Sequence, residues 1–324
     1  MSFGGRPARG KPARERDFQA MVRMLATERL AVDEPGSGRT CFLTHLGAQR
    51  RLAPGAWIAH RDLLHALALA NLSPSQRASL AAAVLVEHGR EFGVGRLRLR
   101  ALASGLPLGG SSLWIQPRTE GPRVLHAWAL AEQARGAPAD WMALRVQPAW
   151  ALDVPPPTLQ PASLATLAAL GGDVAVLVEG AVAARLVADA CAGVVDLAAH
   201  PRFAPHLDGL VADAPVVLWP HDALAGAGLR RRKLMAVVLV DAPEAQVQAT
   251  QRWLGARGSR AELVAVTAPG GAGRAAVERL WRASERPAVW LRGDPAWAHG
   301  AEAWLRDLGA HVRVQGEPTQ LGLL

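Results

Sequence analysis

Apolar positions along the first half of the chain change period several times. Phe18, Met21, Val22 and Leu25 recur at i, i+3, i+4 and i+7, the stripe of an amphipathic helix. Leu30–Val32 predicts a short strand, Pro35 to Thr40 a polar turn, and the residues from there to Arg50 a helix. Two further helices are expected over 61–71 and 74–88, the second with Ser73 as N-cap and Pro74 in its first position. Arg96-Leu97-Arg98-Leu99-Arg100 alternates strictly and predicts a strand with one basic and one apolar face. A strand over 112–116, a helix near 123–135 and a strand near 141–147 complete this half.

Pro155-Pro156-Pro157 marks a boundary, a stiff extended segment that neither helix nor sheet accepts. Beyond it the pattern is regular. Short apolar runs at 174–178, 194–197, 216–219, 237–241, 263–267, 288–291 and 311–314 alternate with helical stretches, notably 181–191, 243–257, 273–284 and 296–308. Nearly all-apolar strands alternating with helices predict a parallel sheet covered on both faces. The expected organisation is α/β: a basic, disordered arm at 1–17, a mixed α/β region at 18–154, a parallel-sheet domain at 158–314, and a tail at 315–324.

Composition sharpens this outline in two places. The chain carries 36 basic and 28 acidic residues, a net charge of +8. Residues 1–100 hold 16 basic and 8 acidic side chains, which leaves 20 of each in 101–324, so the whole excess lies in the first hundred residues. That polarity favours a polyanionic partner on this side, with DNA the first candidate. Arg6, Arg9, Arg14 and Arg16 of the arm and Arg96, Arg98 and Arg100 of the basic strand are the expected contacts, with Arg230, Arg231, Arg232 and Lys233 as a second patch. Lys11 and Lys233 are the only lysines and tyrosine is absent, an arginine bias of the kind GC-rich bacterial coding produces. Neither lysine lies in a glycine-rich loop. No apolar run reaches the ~18 residues that span a bilayer, and the N-terminus has no secretory pattern, so a cytoplasmic, nucleoid-associated protein without a membrane partner is expected. Cys41 and Cys191 are too few and too far apart in sequence for a disulfide framework or a cysteine zinc site. His200, His206 and Asp208 cluster in a loop without metal-ligand spacing, so no metal is expected.

Two glycine-rich turns could cradle phosphate with backbone N–H groups. One is Asp33-Glu34-Pro35-Gly36-Ser37-Gly38-Arg39-Thr40, after a strand and before an expected helix. The other is Gly270-Gly271-Ala272-Gly273-Arg274, between a strand and a helix. The first resembles the Walker A loop of RecA-fold and helicase proteins, with Arg39 in the lysine position. Over roughly 158–314 the order of segments resembles a superfamily 2 helicase motor domain. Thr158-Leu159-Gln160 resembles its entry, Val237-Val238-Leu239-Val240-Asp241-Ala242 its acidic Walker B strand, and Val266-Thr267-Ala268-Pro269 its Ser/Thr-Ala-Thr motif. Glu179-Gly180-Ala181-Val182 stands at the phosphate-loop position without Lys or Ser/Thr, and Ala242 replaces the acidic residue that would position water. The resemblance therefore implies a motor-like fold without ATP hydrolysis, since in-line phosphoryl transfer loses its stabilisers; no cofactor is expected, ATP at most being bound. Residues 30–50 also resemble the RecA-like accessory subunit of translesion-synthesis cassettes.

The C-terminal Gln320-Leu321-Gly322-Leu323-Leu324 resembles the peptide by which bacterial polymerases and repair factors bind the sliding clamp. The resemblance assigns Gln320 to the groove rim and Leu321, Leu323 and Leu324 to its apolar pocket. Together these features predict a non-catalytic DNA replication or repair accessory protein that binds DNA and the clamp, in company with a DNA polymerase or another repair factor. The alternative is a nucleotide- or phosphate-binding α/β enzyme using Gly36–Thr40 or Gly270–Arg274.

Overall fold

The computed structural model describes Ala20 and residues 23–33, 39–46, 54–70, 72–128, 130–152, 156–224, 226–293 and 295–314. The arm arginines Arg6, Arg9, Arg14 and Arg16, the loop residues Gly36, Ser37 and Gly38, and the tail Gln320–Leu324 lie outside them. The described strands form three sheets, and the fold is α/β as expected.

The first sheet is parallel and runs β1 (Leu30–Val32), β2 (Thr40–Leu43), β3 (Ala56–His60), β4 (Val84–Val86) in chain order. In the second, β5 (Glu91–Val94), β6 (Leu97–Ala103), β7 (Ser111–Pro117) and β8 (Val124–Ala127) make an antiparallel meander, and β9 (Trp141–Arg145) lies parallel to β8. The third is all parallel. Its members β10 (Asp173–Val178), β11 (Leu197–Ala199), β12 (Val216–Pro220), β13 (Leu234–Val240) and β14 (Glu262–Val266) take the spatial order β11-β12-β10-β13-β14. The chain then returns, and β15 (Ala288–Arg292) and β16 (Val312–Val314) extend the second sheet to seven strands, β15 pairing parallel with β9.

That return corrects the expectation of one parallel sheet across 158–314. The crossing element is the helix Arg274–Ala283, whose buried Val277, Leu280 and Trp281 pack on the seven-stranded sheet beside Leu125, Met142 and Leu144. Three local expectations also change. Residues after Thr40 are a strand and not a helix, because Cys41 and Leu43 face one core and Phe42 the other. The helix expected over 74–88 stops at Ala81, and Val84–Val86 becomes a strand. The helix expected near 123–135 is strand β8, whose four residues are all buried, so no alternation betrays it.

The four-stranded sheet is the inner layer. Leu30, Val32, Phe42, Ile58 and Val86 pack against Leu97, Leu99, Ile115 and Trp141 of the seven-stranded sheet. On its other face Ala31, Cys41, Leu43, Trp57 and Ala59 share a core with helix α1 (Arg61–Ala68) and with Val174, Val176 and Val178 of β10. Successive residues of a strand point to opposite faces, so β1 and the middle of β2 and β3 bury side chains on both, whereas β4 at the edge leaves Val84 and Leu85 exposed. Where the layers meet, Gly109 has φ +74°, and a Cβ there would lie 2.5 Å from the Leu63 amide nitrogen. Glycine is required at that contact on both counts. Among the described residues no helix is long and apolar enough to cross a membrane.

Phe42 is completely buried between the sheets. Phe42→Ala is expected to cost about 3–5 kcal/mol in unfolding free energy, measured by chemical denaturation, whereas Arg98→Ala on the exposed face of β6 should change it by about 0.5 kcal/mol or less.

A candidate ligand cleft at the C-terminal strand ends

Parallel strands bring their carboxyl ends to one edge, and loops leaving those ends carry the groups a ligand meets. Here the layers converge, and their edges enclose a cavity of about 250 Å³. His45 follows β2, Trp128 follows β8, Arg145 ends β9, Glu179 and Gly180 follow β10, Asp241 follows β13 and Ala268 follows β14. Arg202 and His206 enter from the loop after β11, and Trp297 from helix α9 (Pro295–Asp307); between α1 and α9 in chain order lie α2 (Pro74–Ala81), α3 (Pro148–Ala151), α4 (Pro161–Ala169), α5 (Ala181–Cys191), α6 (Ala227–Arg230), α7 (Glu244–Ala256) and α8 (Arg274–Ala283). In the five-stranded sheet the chain moves from β10 to β11 on one side and from β12 to β13 on the other. The crevice above β10 and β13 is the switch point where open α/β sheets bind ligands.

One wall of the cleft donates hydrogen bonds. Helix α5 starts there, with Ala181, Val182 and Ala183 lining the cavity. Its N-cap Gly180 supplies no side-chain bond, and the first backbone bond inside the helix is from Ala184 to Gly180. The N–H groups of 181–183 are thus without helical partners and carry the positive end of the helix dipole. Arg145 reaches the same cavity and makes no ion pair among the described residues. Arg202 is held at 2.8 Å by Asp222. His206 is 6% exposed, and its Nδ1 has no hydrogen-bond partner.

Acceptors flank the start of helix α5, since Glu179 immediately precedes Gly180 and Asp241 follows the adjacent strand β13. Burial raises the Asp241 carboxyl to about 6, with the nearby charge of Glu179 adding to the rise and the Ala268 amide, which donates to Oδ1 at 3.2 Å, opposing it. Asp241 has φ 50°, so its backbone is left-handed where the strand ends. Glu179 is exposed beside it. His45 is fixed from behind. The Thr44 amide donates to Asp33 Oδ1 at 2.7 Å, Thr44 Oγ1 bonds Asp33 Oδ2 closely, and Thr44 Oγ1 lies 2.9 Å from His45 Nδ1. Burial alone would raise Asp33, but its bonds to His45 and Thr44 and the charge of His45 outweigh that and hold the carboxyl below its ordinary range. Deeper still, burial pushes His126 down to about 3, and its ring lies 4.3 Å from that of Trp128. Arg292 covers Trp128 at 4.5 Å, and the buried Nε1 of that indole has no hydrogen-bond partner.

The structure distributes the sequence-derived candidates unevenly. The helicase-like segments converge, since Glu179, Gly180, Asp241 and Ala268 all line the cleft and Thr158 bridges Thr267 beside it. Thr40 opens a strand, so the helix N-terminus on which a phosphate loop at Gly36–Thr40 depends is absent there, and Arg39 immediately precedes that strand. Gly270 accepts the Glu132 amide at 3.2 Å, Gly271 bridges Ala131, Gly273 caps α8, and Arg274 donates to the Trp150 and Leu152 carbonyls at 3.0 Å each. This turn joins the two larger sheets, with Gly271 also lining the cleft. Arg230, Arg231 and Lys233 are exposed near the start of β13, the end remote from the cleft, while Arg232 pairs with Asp173 at 3.0 Å. Arg96 and Arg98 are exposed at β6, and Arg100 lies 5.0 Å over Trp114. Among the described residues no group of three or more His, Cys, Asp or Glu is placed to hold a metal ion. The sequence pattern does not single out His45, Arg145, Trp128 or Trp297; position at or within two residues of a strand's carboxyl end is the signal that marks the first three.

No family model and no curated protein matches the chain. It is similar to the crystal structure of a protein of unknown function from Enterococcus faecalis V583, with 12% identity and a TM-score of 0.50 over 87% of this chain and 80% of that one. At this identity the likeness shows the fold alone.

Because the Asp241 carboxyl is raised, the folded protein holds its proton more tightly than the unfolded chain. The contribution to stability is complete below pH ~3.8 and is lost as pH rises through about 6. Asp241→Asn should therefore stabilise the protein at pH 7 by about 1–2 kcal/mol and leave it unchanged near pH 3.5, measured by denaturation at both pH values.

Proposed function

We propose that the protein binds a small phosphorylated ligand, a mononucleotide or smaller, in this cleft. The observation that carries the reading is the meeting of three uncommitted helix amides with Arg145 and the buried, unpartnered His206 in one cavity. Helix N-termini favour phosphate through both dipole and donors, and arginine adds charge-assisted bonds. The volume of about 250 Å³ is at the small end for ligand pockets and suits a mononucleotide or less. Trp297 offers apolar surface for a ring. The helicase-like order of the segments at Glu179, Asp241 and Ala268 supports the same placement, with binding and no ATP turnover. Titration calorimetry with pyrophosphate tests it. Arg145→Ala should weaken binding about tenfold or more, since a bond to a charged group contributes about 1.5–3 kcal/mol, while leaving the melting temperature unchanged. Binding that survives Arg145→Ala and is lost in Arg39→Ala would place the ligand at the N-terminal loop instead.

A second reading rests on β6, whose exposed Arg98 and whose Arg100, stacked on Trp114, form one polar face. On this reading the protein is a DNA-binding replication or repair accessory factor tethered to the sliding clamp by Gln320–Leu324. Replacing Arg98 and Arg100 by alanine should reduce the slope of log K against log salt by about 0.9 for each duplex phosphate that is no longer neutralised. Leu323→Ala with Leu324→Ala should abolish clamp binding in surface plasmon resonance and spare DNA binding. An unchanged slope, or clamp binding that survives, contradicts it.

A further inference from the structure

The acceptors lining the cleft say what else the ligand carries, given the phosphate reading above. Asp33 is buried, and its carboxyl is held in the ionised, acceptor-only form. Thr44 Oγ1 has one hydrogen, and its close bond to Asp33 uses it. Toward His45 the same oxygen can only accept, so Nδ1, 2.9 Å away, carries the proton. In the neutral imidazole the lone pair is then on Nε2. His45 lines the cavity, its side chain 15% exposed, and Nε2 has no partner among the described residues. When the imidazole is neutral, the Asp33–Thr44–His45 relay thus supplies an acceptor at the cleft, with the carboxylates of Glu179 and Asp241 as further acceptors.

A fully ionised phosphate has no hydrogen to donate to a neutral His45, and the carboxylates repel its charge. We propose that the ligand is a phosphorylated polyol, a sugar phosphate or the ribose of a nucleotide, whose phosphate lies on α5 and Arg145 and whose hydroxyl donates to His45 Nε2. His45 is a specificity-determining residue in this arrangement, and Thr44 and Asp33 position it.

The test uses the full-length protein and four probes: inorganic phosphate, ribose 5-phosphate, AMP and 2′,3′-dideoxy-AMP. Ribose 5-phosphate should bind about tenfold tighter than phosphate, and AMP about tenfold tighter than its dideoxy analogue, the effect of one satisfied hydrogen bond. A gain of AMP over ribose 5-phosphate identifies a nucleotide, and equality identifies a sugar phosphate. His45→Phe should erase the hydroxyl preference and leave phosphate binding intact; His45→Gln, which restores an acceptor oxygen, should recover part of it. Independently of any variant, diethyl pyrocarbonate should modify His45 of the wild type, and ribose 5-phosphate should slow that reaction without protecting the exposed His65. If dideoxy-AMP binds as well as AMP, or His45→Phe weakens phosphate as much as ribose 5-phosphate, the hydroxyl inference is wrong and the phosphate reading stands. If phosphate itself does not bind, that reading fails and takes this inference with it.

Discussion

A parallel sheet of short strands buried on both faces leaves its polar backbone and side chains no exit except the strand ends. The first three strands of the four-stranded sheet are in that position, with Phe42 and Ile58 turned to the seven-stranded sheet and Trp57 and Leu43 to the core it shares with β10. Two-sided burial aligns the three sheets so that the carboxyl ends of β2, β9, β10, β13 and β14 open on the same cavity. Asp33 and Thr44 are buried at that edge, just past β1 and β2, while Ser111, Ser112 and His126 are buried within β7 and β8. A buried carboxylate is tolerable only with hydrogen-bond partners, and Asp33 finds them in Thr44 at the end of the adjacent strand.

The cleft is electrostatically mixed. The amides of helix α5 and Arg145 supply donors, and Glu179 and Asp241, next to the start of α5, supply acceptors. A cleft with both kinds of group orients an asymmetric ligand, whereas a uniformly basic cleft would collect anions without regard to orientation. Arg274 and the Gly270–Gly273 turn hold the five-stranded and seven-stranded sheets together behind the site, through carbonyl bonds at Trp150 and Leu152 and the bridge to Ala131. Removing these bonds would loosen the cavity itself, so this turn contributes to the site chiefly as a brace.

Local patterning made much of the fold legible. The strict alternation of Leu97 and Leu99 with arginines, the capped helix after Ser73 and the apolar runs of β10, β12 and β13 all have the expected form. Pairing between distant segments was not legible. Ala288–Arg292 and Asp173–Val178 are both apolar runs, and nothing in either says that the first pairs with Trp141 and the second with Val216 and Val237. Strand β8 was hidden for a related reason, since burial of all four residues erases the period that distinguishes strand from helix. At the site, Glu179 and Asp241 were recognisable as strand-end residues, but His45 was not, because its role depends on Thr44 and on Asp33, eleven residues before Thr44 in the chain.

Phosphate binding in this cleft requires contact with the amides at the start of α5. The most direct measurement is the change in backbone amide signals of the full-length protein on titration with pyrophosphate, by nuclear magnetic resonance. This contact predicts the largest changes at Ala181, Val182 and Ala183, with smaller ones around Arg145 and His206. Changes confined to residues near Arg39, or at Gly270–Gly273 with Ala181–Ala183 unmoved, would contradict it.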